Sequence, residues 1–319
     1  MSAVEVRDLV KDFKQRGGGV LRAVDGISFT VEPGEIFGFL GPNGAGKTTS
    51  LEIMEGLQKP TSGSARVLGL DSTTQAGEMK KRIGIQLQAG AYFDYLTLTE
   101  ILELFGSFYP ARLPAAQLLE MVGLREKANA LIKQLSGGQQ QRFSIVASIV
   151  NDPEVVFLDE ATTGLDPRAR REVWDLVREI RGADKTVVLT THYMEEAETL
   201  CDRVAIIDQG RIVAMDTPAA LVQGLGATCR IVFEAPRDGV SEEELRSLPG
   251  VVEVRDGRGR RDARELSVLR PTETLPAFID LARRTALDLT DVQVLPATLE
   301  DVFLARTGRA LTEPDEESA

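Results

Sequence analysis

The chain has 319 residues, 43% of them hydrophobic and 27% charged, with 49 acids against 37 bases and a net charge of −12. That length supplies a sizeable core in one large domain or two smaller ones, and the acidic balance argues against non-specific nucleic-acid binding and against adsorption to anionic lipid. The two cysteines, Cys201 and Cys229, make neither a metal-ligand spacing nor a disulfide framework, and no run approaches the roughly 18 apolar residues of a membrane helix.

The opening "MSAVEVRDLV" lacks the apolar core of a secretory signal, so a soluble, cytoplasmic chain is expected. "AVEVRDL", "GISFTV" and "EIFGFL" read as short strands, followed by a glycine-rich turn into "KTTSLEIMEGL". Leu51, Ile53, Met54 and Leu57 fit one face of that helix. Between about residues 96 and 150 the pattern is helical, an insertion on the surrounding α/β rhythm. Its entrance gathers Tyr92, Phe93, Tyr95, Phe105, Phe108 and Tyr109, which fits either core packing or a protein-docking surface. "VVFL" (155–158), "TVVLT" (186–190) and "RVAIID" (203–208) are apolar throughout, as parallel strands buried on both faces are. Strand, crossover and strand at this rhythm give an α/β domain with a central parallel sheet.

The composition shifts at "DTPAALVQGLGA" (216–227). Beyond it, the order β-α-β-β-α-β reads as a split βαβ, ferredoxin-like unit. No lysine follows Lys185 and acids outnumber arginines in this unit, which argues against RNA binding. Leu275, Phe278, Ile279 and Leu281 form a stripe that can cover its sheet. Residues 226–311 are expected to be a regulatory or assembly domain, and 312–319, "TEPDEESA" at their end, a disordered tail.

Three stretches carry chemistry. In "GPNGAGKTT" (Gly41, Pro42, Asn43, Gly44, Ala45, Gly46, Lys47, Thr48, Thr49) a strand precedes and a helix follows, the context a P-loop requires. The backbone N–H groups of 44–49 would converge on phosphate oxygens at a helix N-terminus. Lys47 would reach the β- and γ-phosphates, Thr48 would ligate Mg²⁺, and Thr49 would contact the α-phosphate. The strand "VVFLDE" ends in two carboxylates. Asp159 would hold Mg²⁺ through water, and Glu160 would orient or deprotonate the attacking water. In "LSGGQQQR", Ser136 sits where an N-cap would, followed by Gly137, Gly138 and Gln139. This is a second anion site, yet one chain offers it only one γ-phosphate. A dimer in which it completes the nucleotide pocket of another subunit resolves the mismatch.

Over about residues 4–220 the chain resembles the ATP-binding cassette (ABC) ATPases, with "GPNGAGKTT", "IGIQLQ", "LSGGQ", "VVFLDE", "GLD" and His192 in order and spacing. The resemblance implies a P-loop NTPase cassette with a RecA-like parallel-sheet core, an N-terminal antiparallel β subdomain and a helical insertion, using ATP and Mg²⁺. It makes Gln88 the glutamine linking Mg²⁺ and γ-phosphate to the insertion, with Gln86 as the alternative register. Phe13 looks like the aromatic that stacks on adenine, and Asp166 like the residue that reaches across the dimer. His192, the only histidine in the chain, occupies the place of the switch histidine, bonded to γ-phosphate and attacking water. Ala161 stands where transport ATPases often have proline, with no loss of activity expected.

Lys47 and Ser136 lie too close for the long coiled coil of genome-maintenance members, and the chain has one cassette, not the two of translation factors. That leaves membrane transport through separate transmembrane permease subunits, with the cassettes paired as a homodimer or heterodimer at the cytoplasmic face of the membrane. "PATLEDVFLARTGR" (296–309) and the unit before it look like the C-terminal extension of daunorubicin/doxorubicin-resistance exporter ATPases, which implies export of drug-like or hydrophobic compounds. A non-transport ATPase, a regulatory nucleotide-binding module and an importer ATPase are the alternatives.

Overall fold

The structure is a computed structural model and describes residues 2–15, 17–86, 92–234, 240–256, 263–285, 287 and 292–308. It divides into two compact units, Met1–Thr217 and Pro218–Leu311. In the first, β1 (Val4–Lys14), β2 (Val20–Val31) and β3 (Ile36–Leu40) precede α1 (Lys47–Met54), and β4 (Ser62–Val67), β5 (Leu70–Asp71), α2 (Ala76–Met79) and β6 (Ile83–Gln86) follow. The helical insertion carries α3 (Leu98–Gly106), α4 (Ala115–Met121) and α5 (Gly137–Ser148). The chain returns through β7 (Val155–Asp159), α6 (Pro167–Gly182), β8 (Thr186–Thr191), α7 (Met194–Leu200), β9 (Arg203–Asp208) and β10 (Arg211–Asp216).

Two sheets result: an antiparallel one ordered β2-β1-β4-β5 and a six-stranded one ordered β10-β9-β3-β8-β7-β6. All neighbours in the second are parallel except β10 against β9. Every residue of β3 and β7 is buried, which is why these runs show no polar alternation. Phe29 of β2 meets Phe37 and Phe39 of β3 with ring centroids 5.4 and 5.2 Å apart, so the two sheets share one core.

Some expectations are corrected. α1 stops at Met54 because Gly56 takes a left-handed φ of 68°; Leu57 lies past the helix and is exposed. β4, β6 and β10 carry too few apolar residues in alternation to announce themselves as strands. The aromatic entrance splits between its two readings. The Tyr92 ring packs 6.2 Å from Phe105 and 5.6 Å from Phe143, while Phe93, Tyr95 and Phe108 are exposed.

Glu55, just past α1, is fully buried, and neither carboxyl oxygen meets a hydrogen-bond partner among the described residues. Burial, with the negative charges of Asp159 and Glu52 adding and Lys80 opposing, pushes its pKa up to about 8. Below the ordinary carboxylate range both the folded and unfolded chain hold this proton. Above it, the folded chain retains a proton the unfolded chain has released, so stability falls with rising pH until about pH 8 and then levels off. Urea unfolding from pH 5 to 9 is expected to show this decline, on the order of a few kcal/mol, in the wild type and not in Glu55→Gln. Parallel pH profiles for the two proteins would exclude it.

The second unit runs α8 (Pro218–Gln223), β11 (Cys229–Glu234), α9 (Glu242–Arg246), β12 (Val251–Asp256), β13 (Ala263–Val268), α10 (Pro271–Thr285), β14 (Gln293–Pro296) and α11 (Leu299–Thr307). Its sheet is antiparallel in the order β12-β13-β11-β14, a split βαβ arrangement. α10 covers it with Phe278, whose ring lies 4.7 Å from that of Phe233, and with Leu281. Ile279, expected in that stripe, is a step of about 100° round the helix from Phe278 and is exposed. Arg230 on β11 pairs with Glu265 on β13 at 3.5 Å and with Asp301 on α11 at 3.2 Å. The "TLEDVF" segment is thereby tied to the sheet through a buried carboxylate. The tail 312–319 lies outside the described residues. No helix among the described residues is long and apolar enough to cross a membrane.

Candidate functional site

β3, β8 and β7 lie side by side, with Leu40 paired to Thr191 and Asp159 to Thr190. Their C-terminal ends therefore deliver the P-loop, His192 and the Asp159–Glu160 pair to one edge of the sheet, where open α/β sheets bind ligands. Gly44 and Gly46 take φ of 78° and 101°, conformations that cost glycine little. A Cβ at Gly46 would collide with the carbonyl oxygen of Ala23. The loop thus turns tightly into α1, whose first residue is Lys47.

Lys47 is buried, and its Nζ donates to the carbonyls of Gly41 at 2.7 Å and Pro42 at 3.2 Å. The same nitrogen lies 3.4 Å from Glu160 Oε1. Burial lowers the Lys47 pKa against the pull of Glu160. The Thr48 hydroxyl donates to Asp159 Oδ1 at 3.2 Å, and the Thr190 hydroxyl donates to the same oxygen at 2.5 Å. A serine-type hydroxyl beside a buried carboxylate is the hard oxygen donor set that Mg²⁺ takes in phosphate sites, so these residues fit that ion.

Glu160 sits with φ at 47°, a left-handed backbone that costs a non-glycine residue on the order of 1 kcal/mol or more and persists where the surroundings dictate it. Its N–H donates to Thr190 Oγ1 at 2.9 Å, and its Oε2 accepts from the Thr163 hydroxyl at 3.2 Å. His192 Nδ1 lies 3.6 Å from Glu160 Oε1. The imidazole first and the Lys47 ammonium second hold the Glu160 pKa down to about 2 against partial burial. The carboxylate is ionised at neutral pH, the form that can accept a proton.

P-loop residues 42–49, Glu160 and His192 line one cavity of about 770 Å³, which also takes in Phe13, Leu21, Thr163, Arg170 and Tyr193, and Asp159 is joined to it through the Thr48 hydroxyl. That volume lies in the range of small-molecule and cofactor sites, and Phe13 stands in its wall together with the P-loop. The sequence-predicted Lys47, Thr48, Thr49, Asp159, Glu160 and His192 are thus brought together. Ser136, Gly137, Gly138 and Gln139 are not. They line a separate concavity of about 570 Å³ together with Asp166. There Ser136 Oγ accepts from Gln139 N–H at 3.4 Å while Ser136 N–H donates to Gln139 Oε1 at 3.2 Å, a reciprocal cap of α5. Asp166 Oδ1 caps α6, accepting from the N–H groups of Arg168 and Ala169. Gln88 lies outside the described residues, and Gln86 is buried at the end of β6. Thr190, Thr163, Arg170 and Tyr193 were not picked out by the sequence reading. Thr190 could have been found only from the β7–β8 register, which no local pattern encodes.

The family description "ABC transporter" matches residues 24–163, which hold the P-loop, the "LSGGQ" segment and the acidic strand. The chain is 38% identical to the daunorubicin/doxorubicin resistance ATP-binding protein DrrA of Streptomyces peucetius, over 99% of this chain and 96% of that one. The chain belongs to the ABC transporter ATPases. This ABC cassette is also 36% identical to the Nod factor export ATP-binding protein I of Burkholderia lata, over 98% of its own length and 99% of that protein. Among solved structures, a dimeric ATP-binding cassette in a post-hydrolysis state with ADP and Pi superposes with a TM-score of 0.61 at 26% identity, covering 67% of this chain and 98% of that one. An ATP-binding subunit of an ABC transporter gives a TM-score of 0.62 at 26% identity, over 70% and 94% of the two chains. The cassette is an ATP-binding ATPase subunit, and its parallel core, antiparallel subdomain and helical insertion are the ABC fold.

Proposed function

We propose that this ABC cassette hydrolyses ATP to drive export of a hydrophobic, drug-like compound through separate membrane-spanning permease subunits, working as a dimer at the cytoplasmic face. The observation that carries this reading is the extent of the similarity. It spans both units, the C-terminal one included, in relatives whose names concern daunorubicin/doxorubicin resistance and Nod factor export.

In this reading Phe13 packs on the base, the P-loop amides and Lys47 take the phosphates, and Glu160 accepts a proton from the attacking water. His192 supports the water and γ-phosphate. Mg²⁺, held by Thr48 and Asp159, would neutralise phosphate charge. As Lys47 is drawn to the phosphates, Glu160 loses part of its compensating charge and becomes a stronger base. Gln88 would report the γ-phosphate to the helical insertion. Ser136 to Gln139 and Asp166 serve the site of the second subunit, because their concavity is distinct from the P-loop cavity of their own chain.

Expression with the multi-span protein of the adjacent reading frame, followed by affinity purification from membranes, should recover both. Inside-out vesicles should then accumulate a hydrophobic drug with ATP. Accumulation only in right-side-out vesicles loaded with ATP would establish import. Absence of any membrane partner, with unchanged hydrolysis, would establish a non-transport ATPase. Residues 226–311 are assigned to regulation or assembly, since every phosphate-contacting candidate lies before them. Truncation near Gly226 is expected to leave ATP affinity intact while changing ATPase rate, dimer stability or transport by the assembled complex. Wild-type values for all three would reduce the unit to a passive appendage.

A further inference from the structure

Arg170 and Tyr193 stand in the wall of the nucleotide cavity without a part in the chemistry set out above. The Arg170 guanidinium carbon lies 4.1 Å from the Tyr193 ring centroid, a cation–π contact from α6. Tyr193 also meets the His192 ring, with centroids 4.2 Å apart and a 40° tilt. One turn further along α6, Trp174 Nε1 donates to the buried Glu196 of α7 at 3.0 Å, so α6 also holds the helix that follows Tyr193. The Tyr193 N–H donates to Thr191 Oγ1 at 2.9 Å, which fixes the backbone of the turn.

The polar anchor of the imidazole is a long one, from Nδ1 to Glu160 Oε1. Its Nδ1 is buried without a hydrogen-bond partner among the described residues, and Glu160 stands 3.6 Å away. A histidine in acid–base chemistry is ordinarily oriented by a hydrogen bond to its second nitrogen. Here ring contact with Tyr193 adds to the long approach to Glu160. The Arg170 Nε is likewise buried and without a hydrogen-bond partner; the guanidinium lies against the face of Tyr193 and its charge also acts on the buried Glu196 of α7.

The geometry points to Arg170 and Tyr193 as positioning residues: stacked on one another, they hold the His192 imidazole beside Glu160 and so set the hydrolysis rate without binding the phosphates. The inference rests on His192 and Glu160 acting together in hydrolysis. It adds two residues, from α6 and from the turn after β8, to the apparatus of that step.

The test uses the full-length chain, with ATP turnover and ATP affinity measured separately for Tyr193→Ala, Tyr193→Phe, Arg170→Met and His192→Ala. Tyr193→Ala and Arg170→Met are expected to lower kcat by on the order of tenfold or more, as misplacement of a catalytic group does, with ATP Kd held within about twofold. Tyr193→Phe, which keeps the ring, should recover most of the lost kcat. In single-turnover assays Tyr193→Ala should add little to the loss already caused by His192→Ala. Arg170→Met and Tyr193→Phe carry the test if Tyr193→Ala folds poorly. Wild-type kcat in Arg170→Met and Tyr193→Ala, with His192→Ala impaired, would overturn the positioning role alone. Additive losses on top of His192→Ala, or a raised Kd at unchanged kcat, would overturn it too. Wild-type turnover in His192→Ala would remove the reading of His192 and the inference together.

Discussion

Glu160→Gln lowers steady-state ATP turnover by roughly 10²- to 10⁴-fold, the usual contribution of a positioned general base, while ATP affinity stays near that of the wild type. The amide keeps the shape of the side chain and its reach to the Thr163 hydroxyl. It loses the negative charge that Lys47 and His192 hold ionised. ATP itself supplies negative charge to Lys47, so binding survives where proton transfer does not. Parallel measurement of hydrolysis and nucleotide affinity separates the two, and near-normal turnover would take Glu160 out of the role. The same variant, retaining ATP, should dimerise with ATP in sizing experiments and revert with ADP.

A mixture of Lys47→Ala and Ser136→Ala chains hydrolyses ATP, although each variant alone has lost on the order of 10²-fold or more, as removal of a phosphate-binding donor does. The P-loop cavity and the Ser136 concavity are separate within one chain. In a mixed dimer one composite site joins the intact Lys47 of one chain to the intact Ser136 of the other, and the second site is doubly defective. Ser136→Ala also weakens the α5 cap, at about 1 kcal/mol, which a chain with this core tolerates. Failure of complementation under conditions that form dimers would show that each chain completes its own site.

The residues legible in the sequence are those whose chemistry is local. A lysine-threonine pair after a glycine-rich turn, two acids closing an apolar strand, and a histidine closing another declare phosphate chemistry because the ligand dictates residue type and order together. Thr190 was silent. Its hydroxyl matters because β8 pairs with β7 in a register that sets it against Asp159. Arg170 and Tyr193 were silent for the same reason, since their contact joins α6 to the turn after β8. β3, β7, β8 and β9 of the parallel sheet were legible because burial on both faces leaves an unbroken apolar run, whereas the short β6 was not. Leu57 and Ile279 show where periodicity misleads: each is apolar at an acceptable spacing, yet one lies beyond a glycine stop and the other turns toward solvent.

The strand order has a consequence for synthesis. β3 ends at Leu40, but its two sheet neighbours, β8 and β9, begin at Thr186 and Arg203. A nascent chain therefore carries its phosphate loop through most of the cassette's translation with neither flanking strand available, and "IFGFL" meanwhile lacks the partners that bury it. Pairings of such sequence separation form late and leave apolar strands exposed to aggregation. The sheet around the phosphate loop is complete only once β8 and β9 have both left the ribosome. A chain released before Thr186 has the whole P-loop sequence but neither of the strands that flank β3, and it lacks His192 and Tyr193 of the cavity wall.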